Sequence, residues 1–141
     1  MRNNLKIVVD SDAIIAQLKE DDTNHLLAKK ISDLLVSTNA DVIFPMSAIL
    51  ESTAFMQRVL SSGASAYGTA LTFTDPNVKV VEINQELLRK AVGYFDPKGS
   101  KKNTLFDCIV AAVAEEEQAD AIFSFDHFYK AKGFTLINEL I

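Results

Sequence analysis

A three-layer α/β/α sandwich around a central parallel sheet is the fold class this sequence predicts. Short apolar runs alternate with amphipathic helical stretches along the chain, the pattern from which parallel sheets with helices on both faces are built. The first run, Ile7-Val8-Val9, is continuously apolar, as expected of a strand covered on both sides. Carboxylates then recur where a strand gives out or a helix begins, at Asp10, Glu51, Asp107 and Asp126.

The elements follow in order. After the first strand a short helix is expected from about Asp12 to Lys19. Asn24 to Val36 carries Leu27, Ile31, Leu34 and Leu35 at helical spacing and reads as an amphipathic helix. Val42-Ile43-Phe44 is the second strand, stopped by Pro45, which cannot donate to a ladder. Ser47 is the expected N-cap of the next helix, which runs to about Leu60. Ser61-Ser62-Gly63 breaks the chain, and a helix from about Ala64 to Phe73 ends before Asp75-Pro76-Asn77. Val78 to Val81 is the third strand. Leu87, Leu88, Ala91, Val92 and Phe95 then trace one buried helix face. A lysine-bearing loop, Asp96 to Asn103, leads into a helix with Leu105, Ile109, Val110 and Val113 inward and Glu115-Glu116-Glu117 outward. Ala121 to Phe125 is the fourth strand, His127 to Lys132 a short helix, and Phe134 to Ile137 a last strand.

Length and composition narrow the function classes. The 141 residues amount to one domain, and 48% apolar content is enough to fill a core. Cys108 is the only cysteine, so no intrachain disulfide can form. The apolar run before Asp10 is too short for a signal peptide, and no stretch approaches the roughly 20 apolar residues of a membrane span. A cytoplasmic protein with no membrane partner is expected. The net charge of −5 argues against a protein that grips nucleic acid over its whole surface. Any polyanion must be held by a local patch, for which Lys98, Lys101 and Lys102 are the candidates, or through a metal. A loop with lysines is also an ordinary solvated loop.

Each acid has an ordinary reading as well. Asp107 stands three residues after Thr104, the spacing of a capping box. Asp126 reads as the N-cap of the short helix behind it, and Glu51 as a surface residue. Asp10 is harder to explain this way, because a carboxylate directly after a buried strand must find a donor or a cation. None of these readings accounts for four acids at equivalent places in a βα pattern. The carboxyl ends of parallel strands meet at one crevice, where ligands bind. Two carboxylates about 4 Å apart repel by about 4 kcal/mol at an effective dielectric of 20. A convergent set therefore calls for a cation, and ligands made only of oxygen favour Mg²⁺ or Mn²⁺ over zinc. His25 and His127 have no third ligand at suitable spacing and read as exposed helix residues. Cys108 reads as core filling, since no histidine partner is indicated.

In this setting the chain resembles the PIN-domain family, and within it the small VapC-like toxins of toxin–antitoxin pairs. The resemblance rests on Val8-Val9-Asp10-Ser11-Asp12, Ser47-Ala48-Ile49-Leu50-Glu51, the run Leu105 to Ala114 around Asp107, Ser124-Phe125-Asp126 and the ending Phe134 to Asn138. It implies a divalent-metal-dependent endoribonuclease with Asp10, Glu51, Asp107 and Asp126 as the acidic quartet. Asp10 and Asp107 would be direct ligands, Asp126 would serve a second ion or act through water, and Glu51 would orient or deprotonate the attacking water. Ser124 would fix a carboxylate, Ser11 would support the first acid, and the three lysines would contact flanking phosphates. The resemblance also implies an RNA substrate, an antitoxin partner and a homodimer. The helical stretch from Gln57 to Phe73 is not diagnostic. Two other readings stand beside this one. Asp10-Ser11-Asp12 also fits the nucleophile and acid of a haloacid-dehalogenase-type phosphatase, although Ser124-Phe125-Asp126-His127 lacks the glycine and second acid of its metal motif. The third reading is a binding module that keeps the fold without catalysis.

Overall fold

Four parallel strands form the sheet: β1 (Lys6–Val9), β2 (Asp41–Pro45), β3 (Lys79–Val81) and β4 (Ala121–Phe123), in the order β3-β2-β1-β4. The structure is a computed structural model and describes residues 4–141. The helices are α1 (Ser11–Leu18), α2 (His25–Ser37), α3 (Met46–Arg58), α4 (Gly63–Thr72), α5 (Gln85–Val92), α6 (Leu105–Glu116) and α7 (Phe128–Ala131).

The central strand sets the layers. Side chains alternate across a strand, and β1 divides accordingly: Ile7 and Val9 join the core built with α1, α2, α3 and α4, while Val8 joins the opposite core with α5, α6 and α7. Ile7, Val8 and Val9 are all buried, which explains their unbroken apolar run. In register, Val8 lies between Ile43 of β2 and Ile122 of β4. Helix α6 fits the second core so closely that every residue from Asp107 to Ala114 is buried.

Strand order places the crevice. From β1 the chain moves to β2 and β3 on one side, then returns to lay β4 on the other. Beyond the strands, Asp10 still donates its N–H to the Phe123 carbonyl at 3.0 Å. The segments leaving β1 and β4 are therefore side by side at the switch point, where open α/β sheets bind ligands.

Several expectations need correction. Ser47 does not cap α3: Pro45 occupies the N-cap position, and Ser47 is buried inside the first turn with a hydroxyl that has no hydrogen-bond partner among the described residues. Pro45 also belongs to β2, opposite Val81, because its carbonyl and extended backbone still suit the strand. The fourth strand stops at Phe123, two residues early. The expected last strand shrinks to a single parallel bridge between Ile122 and Leu136, after which Ile137–Glu139 turns into a 3₁₀ helix. On α5 only Leu87 and Ala91 are buried; Leu88, Val92 and Phe95 are exposed, as is Leu105 at the start of α6. His25 is half-buried, with Nδ1 against the Ala16 carbonyl at 2.7 Å, and that acceptor places the proton on Nδ1. The Gln57 to Phe73 stretch holds the end of α3 and the whole of α4, which fold back on each other as a hairpin closed by Phe44 against Phe73.

Candidate functional site

The crevice between β1 and β4 collects the acids. Asp10 ends β1, with 3% of its surface exposed. Its Oδ1 accepts the Ser11 N–H at 2.7 Å. Its Oδ2 accepts two hydroxyls, Tyr129 at 2.8 Å and Ser124 at 3.0 Å. Asp107, in the first turn of α6, closes the capping box that its spacing predicts: Thr104 N–H donates to Oδ2 at 3.0 Å. The cap leaves Oδ1 facing the Tyr129 hydroxyl at 3.4 Å. The capping reading of Asp107 thus holds, and it leaves one oxygen of the same side chain turned to the crevice.

The other two acids join through neutral side chains. Glu51 is half-buried on α3, and its Oε1 accepts the Ser11 hydroxyl at 2.6 Å, so it is not a free surface residue. Asp126 accepts the Phe128 N–H through Oδ1 at 2.9 Å, which is the local turn that starts α7. Its Oδ2 accepts from Asn103 Nδ2 at 2.9 Å, and the same amide lies 3.4 Å from Asp107 Oδ2. Ser124 is buried and accepts the Asp126 N–H at 3.1 Å. Ser124 thus touches Asp10 and Asp126, whereas the Ser11 hydroxyl goes to Glu51 and only its backbone N–H reaches Asp10.

Three residues outside the expected set belong to this network: Asp12, Asn103 and Tyr129. Asp12 Oδ2 accepts the Phe125 N–H at 2.8 Å and the Ser124 hydroxyl at 3.0 Å, latching α1 to the segment after β4. That geometry gives Asp12 a structural task and takes it out of the nucleophile-and-acid pair the phosphatase reading requires. Its other oxygen is buried without a partner among the described residues. Asn103 closes a lysine-rich loop and gave no signal beyond its place four residues before Asp107. Tyr129 lies in the short helix expected from His127 to Lys132, where nothing in the sequence singles it out.

Hydrogens are scarce in this site. The Ser124 and Tyr129 hydroxyls carry one proton each, yet four carboxylate contacts lie within their reach. Among the described residues no ion pair involves any of these acids. Burial, with the Asp12 charge adding to it, pushes the Asp10 carboxyl well above its ordinary range. Burial also raises Asp12 to about 6, against the bonds from Phe125 and Ser124. Glu51 and Asp107 are raised for the same first reason, with the Thr104 N–H opposing the rise at Asp107.

The donor set fits a hard divalent cation. It is made of oxygens and lacks a cationic side chain, and beside it Asp12 Oδ1 is buried and unpartnered among the described residues. Among the described residues no three acids stand close enough to enclose an ion by themselves. Mg²⁺ does not need such a cage, since it is usually held by one or two carboxylates and keeps several waters. The lysines expected on the approach, Lys98, Lys101 and Lys102, are exposed on the loop before α6 and form no ion pair among the described residues. Cys108 is buried in the core, as expected.

Comparison with known proteins agrees with this architecture. A family model described as the PIN domain matches residues 7–134. No curated protein matches the sequence. Among solved structures, the chain is similar to VapC20 of Mycobacterium tuberculosis, described as a toxin that cleaves the sarcin–ricin loop. The TM-score is 0.77 at 20% identity, over 92% of this chain and 96% of that one. No helix among the described residues is long and apolar enough to cross a membrane.

The raised carboxyls predict a pH dependence whose sign can be worked out. A carboxyl raised on folding binds more protons in the native state than in the unfolded one across the window between the two pKa values. Stability then falls as pH rises. For Asp12 the window runs from 3.8 to about 6. The melting temperature of the metal-free protein should therefore drop as pH is raised through that window, and Asp12→Asn should flatten the drop. Above it, Mg²⁺ or Mn²⁺ should restore stability relative to EDTA. A melting temperature that rises over the same window, read by calorimetry, contradicts the site's charge balance.

Proposed function

Since the chain belongs to the PIN-domain family, we propose that it is a divalent-metal-dependent endoribonuclease of the toxin type, hydrolysing phosphodiester bonds of RNA. One observation carries the reading: Asp10 and Asp107, from opposite ends of the chain, share the Tyr129 hydroxyl in a crevice with no basic partner among the described residues. Asp10 and Asp107 would hold a Mg²⁺ or Mn²⁺ ion, with Asp126 and Glu51 in reach of the same crevice. When bound, the ion supplies Lewis acidity, lowering the pKa of water and offsetting charge on the phosphate.

The remaining tasks fall to the chain's own residues. Glu51, held by the Ser11 hydroxyl and with its carboxyl raised by burial, is placed to take a proton from the attacking water. Ser124 holds Asp10 and Asp126 in one frame through its hydroxyl. Lys98, Lys101 and Lys102 would bind phosphates flanking the scissile one, which reconciles a net charge of −5 with a polyanionic substrate. An antitoxin partner follows from the toxin reading and would be sought as the product of the neighbouring reading frame.

Self-association is the second partner we infer. Ile83, Leu88, Phe95, Leu105 and Phe106 are each 40–47% exposed and line one groove of about 680 Å³ between α5 and α6. A contiguous apolar surface of this kind marks an interaction site.

Three outcomes test these readings. Asp10→Asn and Asp107→Asn should each reduce Mg²⁺-dependent cleavage of an RNA substrate by a factor of about 100 or more, as expected when a group acting on the transition state is lost, and full activity in either variant would end the assignment. Loss of cleavage with unchanged RNA binding would separate it from a non-catalytic binding module. Lys101→Ala and Lys102→Ala should weaken binding of RNA of any sequence and lower the slope of log affinity against log salt by about 0.7 each for a single strand. In sedimentation velocity, Leu88→Asp should yield a monomer where the parent protein is a dimer.

A further inference from the structure

Tyr129 is the one large side chain in the crevice that the mechanism above leaves unused. It is fully buried, yet its hydroxyl stands among acids, donating to Asp10 at 2.8 Å and lying 3.4 Å from Asp107. A phenylalanine would fill the same core volume, packed with Phe128, without bringing a polar group inside. The position of the hydroxyl decides which oxygens of Asp10 remain open. Oδ2 receives Tyr129 and faces the Ser124 hydroxyl, whose single proton lies equally near Asp12 Oδ2, whereas Oδ1 receives only the Ser11 N–H.

We infer that Tyr129 is a positioning residue for the cation: it holds Asp10 Oδ2 so that Oδ1 is presented to the ion. This rests on the metal-dependent reading above. The logic is that of a ligating carboxylate oriented by a hydrogen bond to its other oxygen, where loss of the partner typically weakens metal binding about 10–100-fold. Having only one proton to give, the phenol cannot satisfy both acids. Asp107 Oδ1, 3.4 Å from that hydroxyl, is the oxygen left without its proton.

The test is Mn²⁺ affinity, read from the free-ion signal in electron paramagnetic resonance, for the parent protein and for Tyr129→Phe. A weakening of about tenfold or more in the folded variant is expected. Unchanged affinity with a lowered melting temperature in EDTA would reduce Tyr129 to a packing role and overturn the inference. If the parent protein binds no Mn²⁺, the metal reading and this inference fall together. If only the variant's affinity is unchanged, the metal reading survives alone. A second measurement does not depend on the variant folding. The chain has three tyrosines and no tryptophan, so a Mg²⁺ titration of the parent protein should perturb the tyrosine near-ultraviolet spectrum with the same saturation as the thermal shift. A spectrum indifferent to saturating Mg²⁺ would also overturn it.

Discussion

Negative charge gathered where water is scarce governs this molecule. Asp10, Asp12, Asp107 and Glu51 are held in or beside one crevice, and burial raises the carboxyl of each. Their partners are backbone N–H groups, hydroxyls and one amide, all of them neutral. Such partners orient carboxylates and lower their pKa somewhat, but they bring no positive charge. The site is therefore poised between taking up protons and taking up a cation. On the metal-dependent reading proposed above, stability is given up locally in favour of ion binding, the usual tension between function and fold.

The scaffold around the crevice reuses ordinary structural devices. The capping box of α6 fixes Asp107 Oδ2 and thereby aims Oδ1. The turn that starts α7 fixes one oxygen of Asp126 and leaves the other to Asn103. Ser11 ties the end of β1 to α3 through Glu51, and Ser124 ties it to β4. Each bond has a local purpose, and together they convert four separate chain ends into one rigid surface. Rigid placement of this kind is what a site needs if its groups are to act without reorganising.

Much of this was legible because it follows from periodicity and from the logic of strand ends. The unbroken Ile7-Val8-Val9 run announced a strand buried on both faces, and Asp10, Asp107, Ser11 and Ser124 lie where parallel topology requires. What stayed hidden depended on contacts between distant segments. Tyr129 and Asn103 carry no periodic signal, and Asp12 looked like half of a rival motif until Phe125 and Ser124 were seen to claim it. The α5 face misled for a different reason: Leu88, Val92 and Phe95 keep helical spacing but point away from the core. Periodicity reports which residues share a face, not what lies opposite. The last strand failed because a single bridge to Ile122 was all the sheet edge accepted before the chain turned at Ile137.

The bonds from Ser124 and Tyr129 to Asp10 span 114 and 119 residues. On a ribosome, where chains emerge from the N-terminus at about 5–20 residues per second, β1 must wait for 119 further residues before its acid meets both hydroxyls. Until then Asp10 has neither Ser124 nor Tyr129 to orient it, and Asp126 is absent. The crevice around Asp10 is therefore complete only in a chain that has reached Tyr129.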